Sequence, residues 1–109
     1  MLYIVFKEDC DISIKDIEEI ITVRKELQKG KKSLTLVDIR GLWHVDKNAR
    51  ELAASDAMIQ HNIALAIISS SLSTKIIGNF YMKFDKPNVP TKMFNNEKDA
   101  LLWLSSFKS

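Results

Sequence analysis

Four runs of strand-forming residues alternate with four stretches of helical periodicity, and that alternation restricts the fold more than any other feature of the 109 residues. The runs "LYIVFK" (2–7), "SLTLVDI" (33–39), "IALAIIS" (63–69) and "TKMF" (91–94) are rich in β-branched, aromatic and aliphatic side chains, which suit a pleated, buried surface. Between them lie segments whose apolar residues recur every three or four positions, the spacing that gathers them on one side of a helix. Connections are only a few residues long, and no repeat, linker or low-complexity segment interrupts the order β-α-β-α-β-α-β-α. Such an order calls for a largely parallel sheet of four or five strands covered by about four helices, with right-handed crossovers. It is expected to form a single α/β domain over residues 1–109, a length that leaves little room for a second.

The helix signals are local. In "SIKDIEEIITVRKELQKGKK" Ser13 and Asp16 stand at capping-box spacing, Ile17, Ile20, Ile21 and Leu27 recur at helical intervals, and Gly30 supplies a stop. "DKNARELAASDAMIQHN" opens on Asp46 as N-cap and carries a stripe of Ala49, Leu52, Ala53, Ala57 and Met58 or Ile59. "SLSTKIIGNFYMKF" has Ser71 or Ser73 at its cap and Ile76, Ile77, Phe80 and Phe84 on one side, with Gly78 weakening it. After Pro87 and Pro90, Asn95 or Asn96 caps "EKDALLWLSSF", where Ala100, Leu101, Leu104 and Phe107 share a side.

Composition removes several functional classes. Sixteen Lys plus Arg against 14 Asp plus Glu give a net charge of +2, too little to single out nucleic acid or an acidic membrane. Cys10 is the only cysteine; an internal disulfide is therefore excluded, a thiolate zinc site is not supported, and the flanking Asp9 and Asp11 disfavour a reactive thiolate by charge repulsion. No apolar run reaches the roughly 18 residues of a membrane span, and the N-terminus lacks the features of a secretory signal. A cytoplasmic protein without metal or other cofactor is expected.

In open α/β sheets, ligands bind beyond the carboxyl ends of the strands. Two segments fall there. "RGLWHVDKNAR" offers Arg40, Trp43, His44, Asp46, Lys47, Asn48 and Arg50, and "SSSLSTK" offers Ser70 and Ser71. His44 and Asp46 could serve as a base and its orienting acid with a Ser from the second segment, which would make a small hydrolase. No Gly-x-Ser-x-Gly elbow is present, however, and a helix cap at Asp46 with a surface His44 accounts for the same residues. His44 and His61 are too isolated to make a metal site. The Ser-rich segment could hold a phosphate at a helix start but lacks the glycines of a phosphate loop, so a simple cap is favoured. Lys29, Lys31 and Lys32 read as a solvated turn. Trp43 and Trp103 are large enough to anchor a partner or to pack at the core's rim.

The runs "LTLVDIRGLWHVDKNARELAAS", "IALAIISSSLSTKIIGNFYMKF" and "VPTKMFNNEKDALLWL" together resemble the STAS, or SpoIIAA-like, superfamily of anti-sigma-factor antagonists, which also takes in STAS/SEC14-like domains of bacteria. The resemblance covers most of residues 33–107 and implies the SpoIIAA-like fold. In the signalling members a Ser or Thr after the loop's Asp is phosphorylated by a kinase that is also an anti-sigma factor. Here Lys47 and Asn48 follow Asp46, and Ala49 stands where Gly is usual. An amide cannot gain the charge of about −2 that drives such a switch.

The resemblance therefore implies a non-enzymatic interaction domain meeting a regulatory or kinase-like protein through residues 40–50. Its alternative is a SEC14-like carrier of a small apolar ligand or lipid, which would need a cavity beneath the third helix where an interaction module needs none. The superfamily also places a further strand before the first helix, for which only "LYIVFK" is at hand; an exposed first strand would favour a homodimer.

Overall fold

The structure, a computed structural model, describes residues 1–107, apart from the side chain of Phe84. The predicted place of Phe84 on the apolar side of the third helix thus lies outside the described residues. Strands β1 (Leu2–Val5), β3 (Ser33–Asp38), β5 (Asn62–Ile68) and β6 (Thr91–Phe94) form one parallel sheet in the order β1-β3-β5-β6. All four expected strands are present in that sheet, and β1 is an edge. Two further strands, β2 (Cys10–Ile12) and β4 (Leu42–Val45), pair in parallel as a separate ribbon. They continue the paths of β1 and β3 after each chain breaks its ladder, with Phe6 N–H donating to Asp38 O and Cys10 N–H to Gly41 O, both at 3.1 Å. The extra strand before the first helix therefore exists, outside the main sheet. It was hidden because three residues flanked by acidic groups give almost no pattern.

Helix α1 (Ile14–Gln28) begins as its sequence demands: the Asp16 carboxylate accepts from the Ser13 N–H at 2.8 Å and from its hydroxyl at 3.1 Å. It ends with Lys29 and Gly30 both at positive φ. Its inward side carries Ile17, Arg24 and Gln28, whereas Leu27 is exposed. The expected second helix is two, α2 (Lys47–Ala54) and α3 (Asp56–Ile59), because Ser55 is extended (φ −75°, ψ 161°) and its hydroxyl turns back to the Leu52 carbonyl. Serine competes for backbone partners in this way and so favours helix ends over helix interiors.

Helix α4 (Leu72–Phe80) starts at Ser71, whose Oγ accepts from Thr74 N–H, and runs into a π-helical turn over Tyr81–Asp85. Helix α5 (Glu97–Ser105) starts at Asn96, whose side chain accepts from Asp99 N–H at 2.8 Å. Helices α1 to α4 cover one side of the sheet, where Ile17 of α1 packs in one cluster with Ile39, Leu65 and Ile67. Helix α5 covers the other, with Ala100 and Leu104 on Leu36, Ala66 and Ile68. Burying that two-sided apolar surface is the main stabilising term. Among the described residues no helix is long and apolar enough to cross a membrane.

Candidate functional site

The carboxyl ends of β3 and β5 lead into β4 and the start of α4, and β4 packs beside α4. Asp38 closes β3; its carboxylate accepts from Arg40 Nη2 at 2.7 Å, from Arg40 Nε at 3.0 Å and from the Arg40 N–H at 3.0 Å. Hydrogen bonding to Arg40 holds the Asp38 carboxyl below the usual carboxylate range. A pair of which one member is half exposed contributes modestly, so Asp38→Asn is expected to cost about 0.5–1 kcal/mol at neutral pH. Because the folded pKa lies below the unfolded one, that contribution is present above about pH 3.9 and is lost as pH falls through the lower folded value. Urea unfolding of both proteins at pH 7 and near pH 2 checks this; a gap that does not close in acid would refute it.

Beyond that clamp, Trp43 projects from β4 with 74% of its surface exposed. His44 Nε2 lies 3.2 Å from Asp46 Oδ1, and both side chains are exposed. Asp46 occupies the N-cap position of α2 but makes no side-chain capping bond, its carboxylate being turned to His44. Lys47 reaches Glu51 at 3.8 Å, and Asn48 is exposed in the first turn of α2. The groove where the starts of α1 and α2 meet is bordered by Ser13, Lys15, Asp46, Lys47 and Asn48.

Arg50, predicted to belong to this surface, is not displayed there. Its guanidinium lies 3.5 Å from Asp85 and 4.3 Å over the Phe80 ring, with most of the side chain covered. Burial pushes the Asp85 carboxyl up, outweighing the opposing pull of Arg50. The pair packs α2 against the π turn. Ser70 is exposed, and the Ser71 hydroxyl is engaged in the α4 cap with Thr74. Among the described residues no Ser hydroxyl is hydrogen-bonded to the His44–Asp46 pair. Trp103 packs between Phe94 and Phe107, with ring centroids 5.7 and 4.9 Å away, and so belongs to the rim of the core.

One feature escaped the sequence reading, and a second was posed there only as the requirement of the carrier alternative. The apolar side of α4 is divided: Ile77 packs inward, while Leu72 and Ile76 are 77% and 57% exposed and Phe80 is partly so. Positions 74 and 78 face the sheet instead, as a Thr and a Gly, because Gly78 lies against Met93 and Ile39. The second is a cavity of about 90 Å³ between the sheet and α1 to α4, bordered by Ile77, Gly78 and Tyr81 beneath the third helical segment. Its walls are aliphatic and aromatic except for a polar floor. There Arg24, 4% exposed, donates from Nε to Gln28 Oε1 (2.9 Å), from Nη1 to Met58 O (3.0 Å), and from Nη2 to Asn62 Oδ1 and Thr35 Oγ1 (3.4 Å). Burial pushes the Arg24 pKa down and the Tyr81 phenol up; the phenol donates to Ala53 O at 2.9 Å. Arg24 and Gln28 fall at the 3.6-residue spacing set by Ile17 and Ile21, so a polar pair on the inward stripe of α1 was the available signal.

A parallel sheet in this order, four helical segments on one side and one on the other, and a strand-to-helix surface at the carboxyl ends define a SpoIIAA-like α/β domain. The chain belongs to the DUF7793 family, a domain of unknown function, which matches residues 1–108. In the solved structures it is similar to an uncharacterized protein of the DUF3478 family with a SpoIIAA-like fold from Shewanella loihica PV-4. That likeness has a TM-score of 0.65 at 20% identity and covers 92% of this chain and 82% of the other. No curated protein matches. The SpoIIAA-like fold implied by residues 33–107 is the fold observed.

Proposed function

We propose that this domain is a non-enzymatic, protein-binding module of regulatory type, meeting its partner through Trp43, His44, Asp46, Lys47 and Asn48 and the exposed apolar residues of α4. The observation that carries this reading is Trp43: a Trp three-quarters exposed on a short strand, beside a helix that turns Leu72 and Ile76 outward. Exposed apolar surface rimmed by charged groups marks interaction sites, and a central Trp is the side chain most often found to dominate such interfaces. The exposed His44–Asp46 pair, with Ser71 occupied in its own cap, supports binding over hydrolysis. Lys47 and Asn48 support recognition without phosphorylation of this turn. Carriage of a lipid is disfavoured, since a cavity of about 90 Å³ has no room for a long acyl chain.

Affinity capture of a regulatory or kinase-like protein from native lysate, with wild type and Trp43→Asp in parallel, tests the reading. The variant is expected to weaken capture at least about thirtyfold, the scale of a hot-spot residue, while its urea midpoint stays within about 0.5 M of wild type because the residue is exposed. Equal capture by both proteins, or no specific capture by either, would overturn it.

A further inference from the structure

We infer that the cavity between the sheet and α1 to α4 is a binding site for a small organic anion: a carboxylate with a compact apolar body, seated with its charge toward Arg24. Two guanidiniums border this cavity, Arg24 and Arg50. Asp85 answers Arg50, whereas among the described residues no carboxylate is paired with Arg24. Its hydrogen-bond partners are all neutral: an amide oxygen from Gln28, another from Asn62, the Thr35 hydroxyl and the Met58 carbonyl. A guanidinium has five N–H donors; these four acceptors leave at least one of them, on Nη1, without an acceptor among the described residues. A cation removed from water without a counter-charge is costly. An unfilled apolar space beside it is costly too, since the atoms of its lining lose dispersion contacts.

One ligand removes both costs. Its apolar body would fill the space beside Ile20, Leu65 and Ile67, and its carboxylate would take the remaining N–H of Arg24 and neutralise the charge. Volume limits the body: an engineered cavity of about 150 Å³ takes benzene, so about 90 Å³ suits a branched or short straight body of about four or five carbons. Long acyl chains are excluded by the same comparison. The site is separate from the Trp43 surface, so the two proposals stand or fall independently.

The probes are pentanoate and, as its neutral partner of equal length, 1-pentanol, titrated into the full chain with methyl-labelled isoleucine and leucine. Saturable shifts are expected at Ile20, Leu65 and Ile67, with pentanoate binding at least about tenfold tighter than the alcohol at pH 7, the scale of one charged hydrogen bond. In Arg24→Gln, which keeps a donor but not the charge, that preference is expected to vanish. No saturable shift at these methyls, equal affinity for acid and alcohol in the wild type, or a preference that survives in a folded Arg24→Gln would each overturn the proposal. Should Arg24→Gln fail to fold, the wild-type comparison of acid with alcohol decides alone.

Discussion

Gly41→Ala is expected to lower stability by about 2–4 kcal/mol, seen as a fall of about 1–3 M in the urea midpoint with an unchanged slope. A Cβ at position 41 would lie 2.5 Å from Lys7 O, 2.7 Å from Lys7 C and 2.8 Å from Phe6 O. Those atoms are backbone and cannot rotate aside as a side chain would. The connection they belong to is fixed on both sides, by Phe6 N–H on Asp38 O and by Cys10 N–H on Gly41 O. Any retreat from the new methyl must break one of those bonds and separate β2 from β4, the ribbon that carries Trp43. The variant is therefore also expected to weaken partner capture. Gly30→Ala is the contrasting case: its φ is +83° but nothing lies within 4 Å of the added carbon. Only the conformational penalty applies there, about 1 kcal/mol. Equal losses from the two substitutions would show that close approach at Gly41 is not the determining factor.

The parts of this fold that were legible in the sequence are those decided by neighbouring residues. Ser13 with Asp16, a cap at Asn95 or Asn96, and the short apolar runs of β3 and β5 each announce their structure within a few positions. The strand β4 was not legible, because "LWHV" exposes both Trp43 and His44 and so shows no clean alternation. Its pairing with β2 is a long-range event that neither segment advertises. Helix α4 misled for a related reason. Its expected stripe is split: Ile77 packs inward while Ile76 and Phe80 are exposed, and the small residues Thr74 and Gly78 are the ones buried, Gly78 close against the Met93 side chain. Of the candidate surface residues, Trp43, His44, Asp46, Lys47 and Asn48 are gathered on β4 and the start of α2. Arg50 was drawn off by Asp85, thirty-five positions away and on another element. Arg24 was overlooked because an arginine in a helix is ordinarily solvated; only its phase relative to Ile17 and Ile21 sets it apart.

Asn62→Leu is expected to cost about 3 kcal/mol or more, and its cause can be isolated. Asn62 Oδ1 accepts from both Arg24 Nη2 and, at 2.6 Å, Thr35 Oγ1, and all three residues are buried. Leucine keeps the branched outline of asparagine but is bulkier, so the loss combines overpacking with the removal of an acceptor shared by two buried donors, one of them charged. Removing the charge as well should then recover stability. The pair Asn62→Leu with Arg24→Met is expected to be more stable than Asn62→Leu alone by about 1–3 kcal/mol, since well-packed apolar groups often replace a buried polar set at no loss. Urea unfolding of wild type, both single variants and the double variant supplies the cycle. A double variant less stable than Asn62→Leu would mean that Arg24 stabilises the fold through Gln28 and the Met58 carbonyl even without Asn62. Recovery to near the wild-type value would mean that the chain gains little stability from a cation at this position, and that its presence on the floor of a cavity is better accounted for by what the cavity binds.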